Sequence, residues 1–283
     1  MTTATPEHDA NLDDGVFRGF ENVDHIMIFG DSYSAVGFDS RSPLPTKKHP
    51  IGVPLPGVTY ADDLNWVGYL VKSFVRSGKH SPLVYCYAEG GDTVAGVERQ
   101  VVRDFLTTVG VRPEGARWTS SRSLFITWIG INDMAYGVDP VKQLERLFAA
   151  QQKLYDVGAR NFVFLDVPPV YRFPCYSEEM KNSPTTKAKF DRWNGVLREK
   201  TKEFQDTHNG VTASVCSSFD IFNEILDAPE TYGFKRADVD EAYSRGWQDM
   251  LHPTSALHKV IAQKIADFLY SCKVILVMPS YQR

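Results

Sequence analysis

The sequence predicts an α/β domain with a doubly wound, mostly parallel sheet, and two observations support this class. Short apolar segments alternate along the chain with longer amphipathic segments whose apolar positions recur with a helical period. Most of the short segments are almost continuously apolar, as expected for parallel strands that helices cover on both faces. Internal repeats and low-complexity linkers are absent from the 283 residues, so we interpret the chain as one α/β domain.

Each predicted element has a recognisable pattern. Apolar residues recur with a helical period in four segments, and Gly78 and Gly158 supply stop signals for the first two of them. The predicted helices cover 66–78, 141–158, 190–205 and 256–270. The predicted strands are "HIMIF" (25–29), "LVYCY" (83–87), "SLFITWI" (123–129), "NFVFLDV" (161–167) and "VTASVC" (211–216).

Two segments are predicted to be irregular. Residues 39–63 are rich in proline and glycine, and residues 170–187 carry no clear period. Loops of this length in a compact domain are usually functional or mobile. Each follows closely after a predicted strand, so we expect both to lie beside the carboxyl edge of the sheet and to determine substrate specificity.

Composition and charge exclude several partners. The net charge is −4 and the pI about 6.0, with acidic and basic residues mixed along the chain. This pattern lacks the basic stripe that nucleic acids require and the basic amphipathic segment that favours a membrane surface. The longest uninterrupted apolar run, 83–88, is far shorter than a transmembrane segment. We therefore expect a small-molecule partner, and the sequence leaves the oligomeric state open.

The termini give further expectations. Residues 1–15 lack the basic start and the apolar core of a signal peptide, so the sequence as written predicts a cytoplasmic protein. If a leader had been removed before residue 1, the same sequence would belong to a secreted protein. We expect a poorly ordered N-terminal extension (1–23), a single domain (24–270) and a C-terminal tail (271–283) whose apolar stretch suits an edge strand or a dimer contact.

The sequence contains no metal or cofactor motif. It lacks H-E-x-x-H, Walker, G-x-G-x-x-G and G-x-S-x-G patterns, which argues against a metalloprotease, a nucleotide enzyme and an ordinary α/β-hydrolase. The four cysteines are far apart and form no C-x-x-C pair. Cys86 and Cys216 lie in or at the end of apolar runs and are predicted to be buried thiols. The state of Cys175 and Cys272 stays open.

Polar residues follow three of the predicted strands and precede the last helix. Ser32 comes soon after the first strand, Gly91 after the second and Asn132 after the third, while Asp249 and His252 precede the helix at 256–270. Ligands bind outside the carboxyl ends of strands in doubly wound sheets. Four distant segments are therefore expected to meet at one place.

This set of groups is what acyl transfer requires. A serine hydroxyl becomes a nucleophile when a neighbouring base takes its proton, and the neutral imidazole of His252 is such a base. Asp249, three residues earlier, is close enough to orient the ring. The backbone N–H groups of Ser32 and Gly91 and the amide of Asn132 would stabilise the oxyanion.

Each of these residues also has a structural interpretation. A lone Gly-Asp-Ser suits a turn, the glycine pair at 90–91 suits positive φ, and Asn132 suits an Asx turn. His252 alone resembles a surface residue at a helix start, with Pro253 in the first helical position. Asp31 is expected to cap a following helix or to hold the turn, and we interpret Asp133 and His258 as structural. The co-occurrence of all four segments in order favours catalysis.

The motifs "GDSY", "YAEGGDT", "GIND" and "DMLHPTSALHKVIA" resemble, in order, the four blocks of the SGNH (GDSL-type) hydrolases. "LYDVGARNFVFLDVPPVYRFP" and "WNGVL" resemble later segments of the plant and fungal esterase branch, which includes carbohydrate acetylesterases. The resemblance covers residues 24–270. It implies a three-layer α/β/α sandwich with a flavodoxin-like sheet. The sequence departs from the pattern at Tyr33, where leucine is expected, and at Cys86, where asparagine is common.

The resemblance also implies the same roles: Ser32 as nucleophile, His252 as base, Asp249 as orienting acid, and Gly91 and Asn132 as oxyanion donors. The expected function is hydrolysis of small acyl esters through an acyl-enzyme and without a cofactor. Acetyl esters of a sugar or of another small alcohol are the leading expectation. The alternatives are an acyltransferase with the same triad, a lipase or lysophospholipase, and a binding module that retains the fold without turnover. Tyr33, Trp128 and Tyr136 are candidates to line the pocket, although Trp128 also suits the core.

Overall fold

A five-stranded parallel sheet forms the centre of the computed structural model, which describes residues 17–76 and 81–272. The strand order is β2-β1-β3-β4-β5, the flavodoxin-like order, and every neighbouring pair is parallel. The strands are β1 His25–Gly30, β2 Leu83–Cys86, β3 Ser123–Trp128, β4 Asn161–Leu165 and β5 Thr212–Cys216. Each lies within two residues of its predicted bounds.

Helices cover both faces of the sheet. Within the described residues they are α1 Trp66–Arg76, α2 Val94–Arg99, α3 Ile131–Ala135, α4 Pro140–Asp156, α5 Glu178–Lys181, α6 Pro184–Thr207, α7 Ser218–Asp227, α8 Arg236–Asp240 and α9 Ser255–Ser271. A π-helical turn (Gln100–Phe105) continues α2. Helices α1, α7 and α9 pack together on one face, and α2, α4 and α6 on the other. The predicted three-layer α/β/α sandwich is confirmed.

The sheet topology defines where a ligand can bind. From β1 the chain crosses to β2 on one side and then returns past β1 to β3 on the other. The two crossovers diverge at the carboxyl ends of β1 and β3, where they leave a crevice. Ser32 follows β1 and Asn132 follows β3, so the topology places these residues on the two sides of that crevice.

Several helix predictions needed correction. Helix α6 begins at Pro184 rather than at 190, because the Ser183 hydroxyl accepts a hydrogen bond from Thr186 N and proline occupies the first helical position. Segment 170–187, predicted to be irregular, therefore contains α5 and the start of α6. Helices α2, α3, α7 and α8 were not predicted. Pro253 is not in the first turn of α9, since Thr254 is the N-cap.

The chain ends and the cysteines are described in part. Residues 17–23 of the expected N-terminal extension contain a short 3₁₀ helix and bury Phe20 and Val23. Residues 1–16 and 273–283 lie outside the described residues. Cys86 and Cys216 are buried, as predicted, and all four cysteines are free thiols. Among the described helices, none is both long enough and apolar enough to cross a bilayer.

Candidate active site

Ser32 lies in the turn after β1, whose end is held rigidly. A Cβ on Gly30 would lie 2.4 Å from the carbonyl oxygen of Trp128, so only glycine allows β1 and β3 to approach this closely here. The Gln100 side-chain amide accepts from Gly30 N at 2.9 Å and donates to Gly30 O at 2.8 Å. These bonds fix the backbone immediately before the serine.

The structure brings Ser32, His252 and Asp249 into one chain of hydrogen bonds. The Ser32 Oγ lies 3.0 Å from Nε2 of His252, although the two residues are 220 positions apart. The other ring nitrogen, Nδ1, lies 2.7 Å from Oδ2 of Asp249. Ser32 is 6% exposed, so most of its surface is buried in the fold. The structure therefore brings together three of the residues that the sequence analysis singled out.

The Asp249 carboxylate is held in its ionised form. Burial would raise its pKa, but hydrogen bonds from the backbone N–H groups of His252 and Leu251 and from the His252 ring together bring the pKa below its ordinary value. The two backbone bonds, both 2.7 Å, end on Oδ1, which leaves Oδ2 for the ring. One oxygen therefore shapes the loop, and the other orients the imidazole.

Tyr33 connects the nucleophile turn to the loop that carries the base. Its hydroxyl donates to the carbonyl oxygen of Leu251 at 2.6 Å, and its ring is completely buried. The ring also packs edge-on against Trp128, with centroids 5.5 Å apart. Leucine, which the family pattern expects here, has no hydroxyl for this bond. Tyr33 thus holds two distant segments in register instead of lining an open pocket.

Glycine is required at both positions 90 and 91 after β2, but for different structural reasons. Gly91 has φ = +81°, a conformation that L side chains rarely adopt. Gly90 instead leaves room for Tyr60, because a Cβ on Gly90 would lie 1.9 Å from the phenol oxygen. Within the described residues, the backbone N–H groups of Ser32 and Gly91 donate to no protein acceptor. Both are free to donate to an oxyanion.

Asn132 is positioned by bonds to the same turn. Its Nδ2 donates to the carbonyl oxygen of Asp92 at 2.8 Å, which leaves the second amide hydrogen for a ligand. The buried carboxylate of Asp133 accepts from Val94 N, at 3.3 Å and 3.2 Å to its two oxygens. These contacts join the start of α3 to the start of α2. The turn with Gly91 and the amide of Asn132 are thereby fixed relative to each other.

Three other residues that were considered from the sequence do not belong to the triad or to the oxyanion donors. Trp128 is fully buried in the core, and Tyr136 is 74% exposed. Burial lowers the pKa of His258 to about 3, so this ring stays neutral at ordinary pH. His258 therefore cannot serve as a second base in the neutral range.

Asp31 holds the turn, and no helix follows it. Its Oδ1 accepts from Tyr33 N at 3.1 Å, while Oδ2 is buried without a hydrogen-bond partner among the described residues. Burial, with smaller contributions from the negative charges of Asp133 and Asp92, raises the pKa of Asp31 to about 7. Between about pH 4 and pH 7, this carboxyl is therefore protonated in the folded protein and ionised in the unfolded chain.

This pKa predicts a pH-dependent stability. The folded-state pKa of Asp31 lies above the unfolded value of 3.8. The contribution of Asp31 to the free energy of unfolding therefore decreases as pH rises from about 4 to about 7. Asp31→Asn cannot ionise, so its stability relative to wild type should increase by about 2–3 kcal/mol between pH 5 and pH 8. Urea denaturation at both pH values measures this change, with Asp267→Asn as the exposed control. The prediction would be contradicted if the unfolding free energies of Asp31→Asn and wild type differed by the same amount at both pH values.

Sequence reasoning missed two residues of the site. Gln100 lies in the π-helical turn and Tyr60 in an irregular segment, and neither belongs to a recognisable motif. Tyr60 stacks on His252, with ring centroids 5.2 Å apart. The only signal in the sequence was the length of segment 39–63, which indicated a functional loop without indicating which residue acts.

Comparison with known proteins gives a consistent assignment. The model of the family described as GDSL-like lipase/acylhydrolase matches residues 26–265. The chain is 33% identical to an acetylesterase from Thermothelomyces thermophilus, with 86% of this chain and 87% of that protein aligned. The chain belongs to the GDSL-like lipase/acylhydrolase family. It is a carboxylic ester hydrolase.

Solved structures show the same fold. A variant of an acetyl xylan esterase from Geobacillus stearothermophilus superposes with a TM-score of 0.56 at 14% identity, covering 92% of this chain and 99% of that one. An α/β hydrolase from the metagenome of Lake Arreo, Spain, superposes with a TM-score of 0.56 at 18% identity, covering 89% and 96%. At such low identity these likenesses support the architecture of this GDSL-family chain and nothing finer.

Proposed function

We propose that this GDSL-family esterase removes acetyl groups from a sugar or another small alcohol through a serine acyl-enzyme, with Ser32, His252 and Asp249 as its triad. The observation that carries the proposal is the continuous hydrogen-bond chain from Ser32 Oγ through both ring nitrogens of His252 to Asp249. The name of the 33% identical relative, an acetylesterase, supports the acetyl group. The carbohydrate is an expectation from family resemblance.

In the first half of the reaction, Ser32 Oγ attacks the ester carbonyl carbon while Nε2 of His252 takes the hydroxyl proton. The carbonyl π electrons move to oxygen, and the backbone N–H groups of Ser32 and Gly91 with the amide of Asn132 donate to that oxyanion. The tetrahedral intermediate then expels the alcohol, which receives the proton from His252. The product of this half is an acetyl ester of Ser32.

In the second half, a water molecule attacks the acetyl-enzyme as the same imidazole takes its proton. Collapse of the second tetrahedral intermediate returns the proton to Ser32 and releases acetic acid, which ionises to acetate in solution. Asp249 keeps the N–H of His252 on Nδ1 and stabilises the imidazolium in both halves. Each role requires only groups that this chain supplies.

The acyl-enzyme is tested with an alkyl fluorophosphonate, which traps an activated serine covalently. One equivalent should be incorporated, and peptide mass spectrometry should place the adduct on Ser32. Ser34→Ala removes a buried hydroxyl two positions away that does not contact His252 and accepts instead from Trp66 Nε1, so it should be labelled like wild type. An adduct on another residue, or ester turnover without labelling, would refute the proposed nucleophile.

A further inference from the structure

Tyr60 contacts two parts of the site at once. Its ring stacks on the imidazole of His252, with centroids 5.2 Å and planes 28° apart. At the other end of the side chain, the phenol oxygen fills the space above Gly90. Tyr60 therefore extends from the base to the glycine turn and forms one wall of the crevice.

The position of Tyr60 is set by bonds on both sides of it in the sequence. Val58 N donates to the carbonyl oxygen of Val36 at 2.9 Å, on the segment that continues from the nucleophile turn. The carboxylate of Asp62 accepts from Ser255 N at 2.6 Å, at the start of α9. A carboxylate is favoured at a helix N-terminus because of the helix dipole. The loop is thus tied to both segments that bring the catalytic groups together.

A cavity of about 450 Å³ lies beside Tyr60 and reaches Ala35, three residues after Ser32 in the sequence. Tyr60 and Gly90 form its boundary with the site, and Glu89, Arg99 and Arg103 contribute much of its polar lining. The volume is within the range of small-molecule binding sites. The cavity is therefore large enough for a sugar ring.

The charges in this cavity distinguish between possible occupants. The Arg99 guanidinium bonds to Glu89 at 2.6 Å and to Asp92 at 2.7 Å, which holds the ion pairs in place along one wall. The Arg103 guanidinium is exposed and has no ion-pair or hydrogen-bond partner among residues 17–76 and 81–272. A long acyl chain would desolvate these charges without replacing their hydrogen bonds. Hydroxyl groups would form charge-assisted hydrogen bonds instead.

We propose that this cavity is the subsite for the alcohol part of the substrate, a hydroxyl-rich alcohol such as a glycoside, and that Tyr60 determines this specificity. The inference rests on the esterase function proposed above. The alcohol oxygen must lie beside His252 to receive its proton, and the ring of Tyr60 covers that imidazole. A sugar bonded through this oxygen continues across the face of Tyr60, whose ring is apolar while its hydroxyl is polar, and enters the cavity.

The test uses two substrates with the same acyl group, acetylated xylobiose and p-nitrophenyl acetate. Tyr60→Ala should raise the KM for acetylated xylobiose about 10-fold or more relative to its effect on the KM for p-nitrophenyl acetate. Tyr60→Phe, which keeps the ring, should restore most of the binding. Arg103→Ala should raise the KM for the disaccharide by roughly 3–10-fold relative to its effect on the KM for p-nitrophenyl acetate.

Tyr270→Ala is the matched control, because Tyr270 is similarly exposed, 42% against 46%, and lies at the opposite end of α9 from His252. It should behave like wild type on both substrates. Equal losses on the two substrates in Tyr60→Ala would overturn the subsite, and so would a gain of more than about 10-fold on p-nitrophenyl octanoate, which would make the cavity an acyl site. Failure of the proposed function is distinguishable, because wild type would then remain unlabelled by fluorophosphonate.

Discussion

Replacing Ser32 by alanine is expected to lower kcat for p-nitrophenyl acetate by roughly 10⁴–10⁶-fold, down to the contribution of binding and the oxyanion donors. The variant keeps the fold, because the Ser32 hydroxyl bonds within the described residues only to His252. The measurement is steady-state hydrolysis, corrected for spontaneous hydrolysis of the ester.

A double variant tests whether Ser32 and His252 act together. Ser32 and His252 act as one unit, since the imidazole has no proton to take once the hydroxyl is gone. The double variant Ser32→Ala/His252→Ala should therefore lose no more activity than either single variant. Ser34→Ala should stay within about 10-fold of wild type. Independent, multiplicative losses in the double variant would show that the two side chains do not cooperate.

Asp249→Asn is expected to lower kcat by about 10⁴-fold at pH 7 while leaving the loop in place. The asparagine carbonyl can still accept the backbone N–H groups of Leu251 and His252, which both bond to Oδ1 in the wild type. Its amide NH₂ then faces Nδ1 of the ring and donates to it. The ring proton is forced onto Nε2, which can no longer accept the proton of Ser32.

The measurement for Asp249→Asn is kcat at pH 7 together with the thermal midpoint, which should remain close to that of wild type. Asp267→Asn, at an exposed carboxylate on α9 that accepts a hydrogen bond from Gln263 Nε2 at 2.8 Å, is the matched control and should leave kcat unchanged. Because hydrogen bonds keep the pKa of Asp249 below its ordinary value, loss of wild-type activity on mild acidification should not arise from this carboxylate. An Asp249→Asn variant within about 10-fold of wild type would contradict its orienting role.

The strands and the order of the motifs were predictable from sequence because the signal is local. A buried parallel strand must be apolar on both faces, so runs such as 123–128 are visible without any knowledge of their neighbours. Helix α6 was less visible at its start, since its first residues are solvent-exposed and lack an apolar period. Helices α2, α3, α7 and α8 were missed altogether.

The contacts that complete the site depend on distances through space. Tyr33 reaches Leu251 across 218 positions, and Gln100 reaches Gly30 across 70. Tyr60 lies in a loop without periodicity, and only the fold shows that its ring meets His252. Secondary-structure propensity and apolar pattern depend on the neighbours of a residue along the chain. They therefore cannot predict contacts between residues that are far apart in the sequence.

By itself, the sequence determined that this chain forms a doubly wound α/β domain and that a serine, a glycine, an asparagine and an acid–histidine pair follow the strands or precede the last helix. These properties depend on local apolar pattern and on residue type. The tertiary structure alone decided that Ser32 lies 3.0 Å from His252, that Tyr33 joins their two segments and that Tyr60 both stacks on His252 and lines a polar cavity. Those distances arise when the crossovers on either side of β1 bring remote loops to one edge of the sheet.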